Sequence, residues 1–93
     1  MTAEGTKQIL RLRADHVPWQ EIEREIVALD PVTSTYISIN GSGTLLWHEL
    51  ASGATQDTLA ARLVEMYGID EPRARTDVAA FVDALARRGW LAA

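Results

Sequence analysis

The sequence predicts an α+β domain in which a three-stranded antiparallel sheet comes first and three α-helices follow. Three observations carry this. Apolar residues alternate up to about Asn40 and recur every three or four positions after it, so strands precede helices instead of alternating with them. The last two helical segments each close on a glycine followed by an apolar residue, Gly68-Ile69 and Gly89-Trp90, the pattern of a capped helix end with a hydrophobic contact just beyond it. Finally, 93 residues, 47% of them apolar, supply one small core and not two.

From the N-terminus, residues 1–8 are polar and read as a loose tail. Ile9-Leu10-Arg11-Leu12-Arg13 alternates weakly, as a short strand or an extended lead-in. The chain is therefore divided into residues 1–15, tail or short lead-in strand, and residues 16–93, the domain proper. Val17 to Glu23 reads as the first strand of the sheet, with Pro18 suited to an edge or a strand start. Glu25 to Leu29 is the central strand, since Ile26, Val27 and Leu29 favour extended backbone. The short gap at Glu23-Arg24 implies a hairpin, but no Asn-Gly or Asp-Gly pair sets its register. Asp30-Pro31-Val32-Thr33-Ser34 is a second turn, with Pro31 fixing φ. Tyr36 to Ile39 is the third strand, Ile37 and Ile39 on one face and Tyr36 and Ser38 on the other.

The first helix runs from about Ser42 to Ala51 with Asn40 or Ser42 as N-cap. Leu45, Leu46 and Leu50 form its apolar face, widened by Trp47. Thr55 caps the second helix, whose stripe is Leu59, Leu63, Met66 and Tyr67. The third begins at Asp70-Glu71-Pro72, where a cap and a first-turn proline coincide. Its stripe is Ala74, Val78, Phe81, Val82 and Leu85, and Arg87 and Arg88 suit its C-terminal end. Leu45, Leu46, Leu50, Leu59, Leu63 and Trp90 are assigned to the core.

Little in the sequence points to catalysis. There is no cysteine, which excludes disulfides, cysteine–zinc sites and thiol nucleophiles. His16 and His48 do not form a metal-ligand spacing. Serines 34, 38, 42 and 52 lack a Gly-x-Ser-x-Gly context. Asn40-Gly41-Ser42-Gly43 precedes a helix but has neither the lysine nor the length of a phosphate-binding loop, so it reads as a helix start. The reading is a protein that is not an enzyme and needs no cofactor or metal. Small strands plus three helices also describe a winged-helix nucleic-acid binder, the alternative function. Against it, the net charge is −4, and Gly53 to Ala93 holds five arginines and six acidic residues with no basic stripe at base-reading spacing. The sequence has no apolar run of membrane-span length and no secretion-type start, so a cytoplasmic domain without membrane contact is expected. What remains is an interaction module. Thr35 to Ile39 is a natural sheet edge, because the chain leaves it directly into a helix. Such an edge accepts an added strand from a partner, or pairs with its own copy in a symmetric homodimer.

The stretch Leu29-Asp30-Pro31-Val32-Thr33-Ser34-Thr35-Tyr36-Ile37-Ser38-Ile39-Asn40 resembles the PqqD family, the leader-peptide recognition elements of ribosomal peptide biosynthesis. Leu29, Asp30, Thr33, Tyr36 and Asn40 match its pattern. So do Gly43 with Leu45-Leu46-Trp47, Gly53, Tyr67-Gly68, Asp77-Val78 with Phe81, and Arg88-Gly89-Trp90-Leu91. The matches span roughly residues 17–91. Ser34 stands where the family usually has glycine, and Ile39 where leucine is usual. The resemblance implies a winged-helix-like fold that binds a precursor's leader peptide as an extra strand on the third strand, in a groove shared with the last helix. Carried over by position, Thr35, Tyr36, Ile37, Ser38 and Ile39 would supply the backbone ladder. Arg75, Asp77, Val78, Phe81 and Val82 would include the groove wall. The implied role is a noncatalytic adaptor. It would present the peptide to a separate radical SAM enzyme, leader protease or cyclase, in a pyrroloquinoline quinone, lasso-peptide or related pathway.

Overall fold

A computed structural model describes residues 8–13 and 15–92. The tail expected over residues 1–8 lies almost wholly outside the described residues. Chain order is β1 (Arg11–Leu12), β2 (Trp19–Ile22), β3 (Glu25–Asp30), β4 (Thr35–Ile39), α1 (Ser42–Ser52), α2 (Gln56–Tyr67), α3 (Glu71–Arg87) and β5 (Leu91–Ala92). Strands β2, β3 and β4 form an antiparallel sheet in that order, which leaves β4 at one edge. This is the α+β arrangement expected, a three-stranded sheet followed by three helices.

The alternation in β3 sorts its side chains by face. Ile26, Ala28 and Asp30 are buried against the helices, while Glu25, Val27 and Leu29 lie half-covered on the outer face. Ile22 pairs with Glu25, so the β2–β3 hairpin turns on two residues, Glu23 and Arg24, with φ of 53° and 69°. Positive φ at both positions is what a two-residue turn needs to match strand twist, and asparagine and glycine normally supply it. Here two charged side chains adopt it at a steric cost. A contact from outside the hairpin reaches this turn: the Thr44 hydroxyl of α1 has one proton to share between the Arg24 carbonyl at 3.1 Å and the Ile39 carbonyl at 3.2 Å.

The chain enters α1 through Gly41, which occupies the N-cap position at φ 61° and ψ −135° without a side-chain cap. The expected cap by Asn40 or Ser42 is therefore corrected. The sharp exit from β4 demands a backbone geometry open only to glycine, and it displaces a polar cap from that position. Thr55 does cap α2, its hydroxyl accepting from the Thr58 N–H at 3.0 Å. The α2 stripe is shorter than expected. Leu59, Ala60 and Leu63 are buried, but Met66 and Tyr67 are more than half exposed. At that end the apolar contact is made by Ile69, turned back onto the core beyond the Gly68 cap.

Helix α3 ends in a full Schellman motif. The Gly89 N–H donates to the Ala86 carbonyl at 2.9 Å and the Trp90 N–H to the Leu85 carbonyl at 3.1 Å. That turn delivers Trp90 into the core and Leu91 into β5, which pairs antiparallel with β1. Leu10 and Leu12 are buried, and Leu10 exchanges two backbone hydrogen bonds with Ala54. The lead-in is thus a short strand built into the core, and the two-stranded β1–β5 sheet adds to the three strands expected. At the centre, the Trp47 ring of α1 meets Trp19 and Trp90 edge-on, with centroids 5.7 and 6.1 Å away.

Candidate functional site

The hydrogen-bond register determines which groups of β4 are free. The Leu29 N–H donates to the Pro18 carbonyl at 2.9 Å, so the backbone of Leu29 faces β2. Backbone direction alternates along a strand. Ile26, Ala28 and Asp30 therefore face β4, where they pair with Ile39, Ile37 and Thr35. The N–H and C=O groups of Tyr36 and Ser38 consequently point away from the sheet, and no strand other than β3 lies beside β4 among the described residues. This edge presents two donors and two acceptors in extended geometry. Side chains flank it on both faces. Ile37 and Ile39 point inward and are half-buried, while Tyr36 is 72% exposed on the outer face. The Ser38 hydroxyl, also outward, donates to the Glu25 carboxylate.

Helix α3 supplies the inner wall. Successive residues turn about 100° around a helix, so Asp77, Phe81 and Arg88 fall within roughly 40° of one another on one flank. Gly43 shows that this flank faces β4. A Cβ built on Gly43 would sit 2.7 Å from Ile39 Cγ2 and 3.4 Å from Phe81 Cε1. The missing side chain lets the start of α1 approach both β4 and α3, so that the half-buried side chains of Ile39 and Phe81 come together at that end of the edge. Asp77 lies farther along, beside a cavity of about 190 Å³ that Ser42, Tyr67 and Ile69 also line, and it pairs with Arg73 at 3.9 Å.

The other expected wall residues fall elsewhere. Val78 and Val82 are 1% and 9% exposed and belong to the core under the cleft. Arg75 lies about 120° around α3 from Phe81. Its guanidinium donates to Asp57 of α2 at 2.7 Å and to Glu71 at 3.0 Å, beside a cavity of about 350 Å³ between α2 and α3. Hydrogen bonds to Asp57 first and then Glu71 hold its pKa above the ordinary arginine value. The structure thus brings Thr35 to Ile39 together with Phe81, sets Asp77 at the far end, and turns Arg75 towards α2. Sequence reasoning singled out Arg75 because its number falls in the right stretch; the helical period sends it to the other flank.

At the Thr35 end of the cleft sits a group not assigned a role from sequence. Asp30, 5% exposed, receives the Val32 N–H at 2.9 Å, the Thr33 N–H at 3.4 Å and Arg88 Nη1 at 2.8 Å. Arg88 in turn stacks over Trp90, 5.3 Å from the ring centroid. These contacts hold the β3–β4 turn, with Ser34 at φ 57°, against the end of α3. The available signal was the presence of Asp30, Gly43 and Arg88 among the family-like motifs.

Burial disfavours the Asp30 carboxylate, but the two backbone donors and Arg88 outweigh it and lower its pKa from the ordinary 3.8. A depressed folded-state pKa contributes stability above the unfolded value that is lost as pH falls through the folded one. Asp30→Asn is therefore expected to melt about 5 °C below wild type at pH 7. The gap should narrow as pH drops below about 4. Thermal melts across pH check this; a gap constant from pH 7 to pH 2 would contradict it.

The family described as coenzyme PQQ synthesis protein D (PqqD) matches residues 25–91 of the chain. No curated protein matches it. Two solved structures are similar in fold and sequence. One is TbiB1 in complex with the TbiA(beta) leader peptide, with a TM-score of 0.78, 27% identity, and coverage of 87% of this chain and 93% of that one. The other is a lasso peptide synthetase B1 complexed with the leader peptide, with a TM-score of 0.77, 25% identity, and coverage of 90% and 98%.

Proposed function

The chain belongs to the PqqD family, and on that footing we propose that it is a noncatalytic leader-peptide-binding domain of lasso-peptide biosynthesis. The observation that carries the reading is the open edge of β4. Tyr36 and Ser38 offer their backbone groups outward beside the half-buried apolar side chains of Ile37, Ile39 and Phe81. An extended leader peptide joins the sheet as a further strand there. Main-chain hydrogen bonds supply affinity, and the apolar cleft selects alternate side chains. A separate enzyme, a leader protease, a cyclase or in related pathways a radical SAM enzyme, then acts on the core segment. Tethering the leader raises the local concentration of that segment at the enzyme.

The arginines of the helical half support this reading over nucleic-acid binding. Arg62, Arg73, Arg75, Arg87 and Arg88 each pair with a carboxylate of the chain itself, which leaves no cluster of unpaired guanidiniums among the described residues of this half to track a phosphate backbone.

Amide hydrogen exchange with a lasso precursor's leader peptide tests the proposal. The Tyr36 and Ser38 amides are expected to exchange quickly in the free chain and at least about tenfold more slowly with saturating peptide. The Ile37 amide, already bonded to β3, stays protected in both. Unchanged exchange at Tyr36 and Ser38 in a saturated complex would refute strand addition.

A further inference from the structure

We infer that Arg88 is a specificity-determining residue that binds an acidic side chain of the peptide, placed four residues from the side chain that fills the Phe81 cleft. The inference rests on the strand-addition reading above. Its first basis is geometric. Phe81 marks the Ile39 end of β4, and Arg88, through Asp30, marks the Thr35 end, because Asp30 pairs with Thr35. From Phe81 to Arg88 the helix advances about 10 Å, and from Ile39 to Thr35 the strand spans about 13 Å. The helix thus offers one side chain near each end of the edge. On an added strand, four residues cover the same distance and return to the same face. One face of the peptide thus meets the apolar side chains of Ile39 and Phe81 at one end and a guanidinium at the other.

The second basis is the state of that guanidinium. Arg62 binds two carboxylates, Glu49 and Glu65, and Arg75 binds two, Asp57 and Glu71. Arg88 has one, Asp30, taken by Nη1 alone, and its side chain is 40% exposed. Among the described residues, its Nε and Nη2 make no hydrogen bond. Asp30 and the Trp90 ring fix the guanidinium plane, so little side-chain freedom is lost on binding a second carboxylate. A planar fork already held in place suits the paired oxygens of a glutamate or aspartate.

Selection of a displayed random dodecapeptide library on the full chain tests this, followed by calorimetry with the best peptide and its Glu→Gln (or Asp→Asn) counterpart. Enriched sequences are expected to carry an acidic residue four positions from an apolar one. Wild type should prefer the acidic peptide by about tenfold, a preference that shrinks with salt. Arg88→Gln should bind both versions equally, and both more weakly than wild type binds the neutral one, because the Asp30 turn also loses a partner. The lost preference separates recognition from structural damage, which would weaken both peptides alike and keep their ratio. Enriched peptides without the acidic position, or equal affinities of wild type for the pair, would overturn the role of Arg88 and leave strand addition standing. If the library enriches equally on Ser38→Pro, the strand-addition reading falls and this inference with it.

Discussion

Ser38→Pro is expected to cost the chain about ten- to a hundredfold of its affinity for the leader peptide while its circular dichroism spectrum stays that of the folded domain. The Ser38 N–H points away from β3, as the Leu29–Pro18 hydrogen bond establishes, so no ladder bond inside the sheet is lost. Proline fits extended backbone on an edge strand. What disappears is one donor to the added strand, and the peptide carbonyl it would meet is left desolvated without a partner. Ser38→Ala is the control: it removes the hydroxyl that bonds Glu25 but keeps the N–H, and should bind like wild type. Tyr36→Pro should repeat the loss. Ile37→Pro should instead damage the sheet, since its N–H bonds inward to β3. Calorimetric titration of all four variants checks the pattern. Wild-type affinity in both Ser38→Pro and Tyr36→Pro would sink strand addition at β4.

That alternation is where sequence reading runs out. The edge itself was legible, because Tyr36 to Ile39 alternates and leads straight into a helix. Which amides face outward was not. It depends on the registers set by both turns of the sheet, and the Glu23-Arg24 turn lacks the asparagine or glycine that would announce its geometry. Among the described residues, its one side-chain hydrogen bond from beyond the sheet comes from Thr44, twenty positions away. The helix ends were legible for a local reason: Gly68-Ile69 and Gly89-Trp90 carry their capping signal in adjacent residues. Contacts between distant elements carry no such signal. Asp30 and Arg88 are 58 positions apart, and only the folded chain makes them partners. Met66 and Tyr67 continue the α2 stripe in period, yet lie exposed, since a helical period says which face is apolar but not where its cover stops.

The same distinction bears on the cleft. Phe81, Val82 and Arg75 lie within seven positions on one helix, and a carried-over motif treats them as one wall. The helix separates them: Phe81 borders Ile39, Val82 is core, and Arg75 is engaged with α2. Under the proposed strand addition, affinity would rest on few side chains, with the backbone edge carrying much of the rest.

The largest effect on stability is expected at Trp47. Its side chain is fully buried and bridges Trp19 of β2 to Trp90 beyond α3, so it joins the sheet, α1 and the Schellman turn in one contact. Trp47→Ala should cost about 3–5 kcal/mol. A domain of this size has a total stability of about 5–10 kcal/mol, and the loss corresponds to a fall in Tm of about 20 °C. Trp47→Phe should be milder, at about 1–2 kcal/mol. It keeps an aromatic edge for both neighbours, and it removes the indole Nε1, a buried donor without a partner among the described residues. Thermal and denaturant melts of the two variants check this, and equal losses would mean that ring packing is not what Trp47 contributes. The damage should also reach the binding edge. Trp90, one of the two rings packed on Trp47, carries the Arg88 stack, and Arg88 holds the Asp30 turn from which β4 starts. With its support from Trp47 gone, the Thr35 end of β4 loosens, and Trp47→Ala should bind leader peptide more weakly than Trp47→Phe even at a temperature where both are folded.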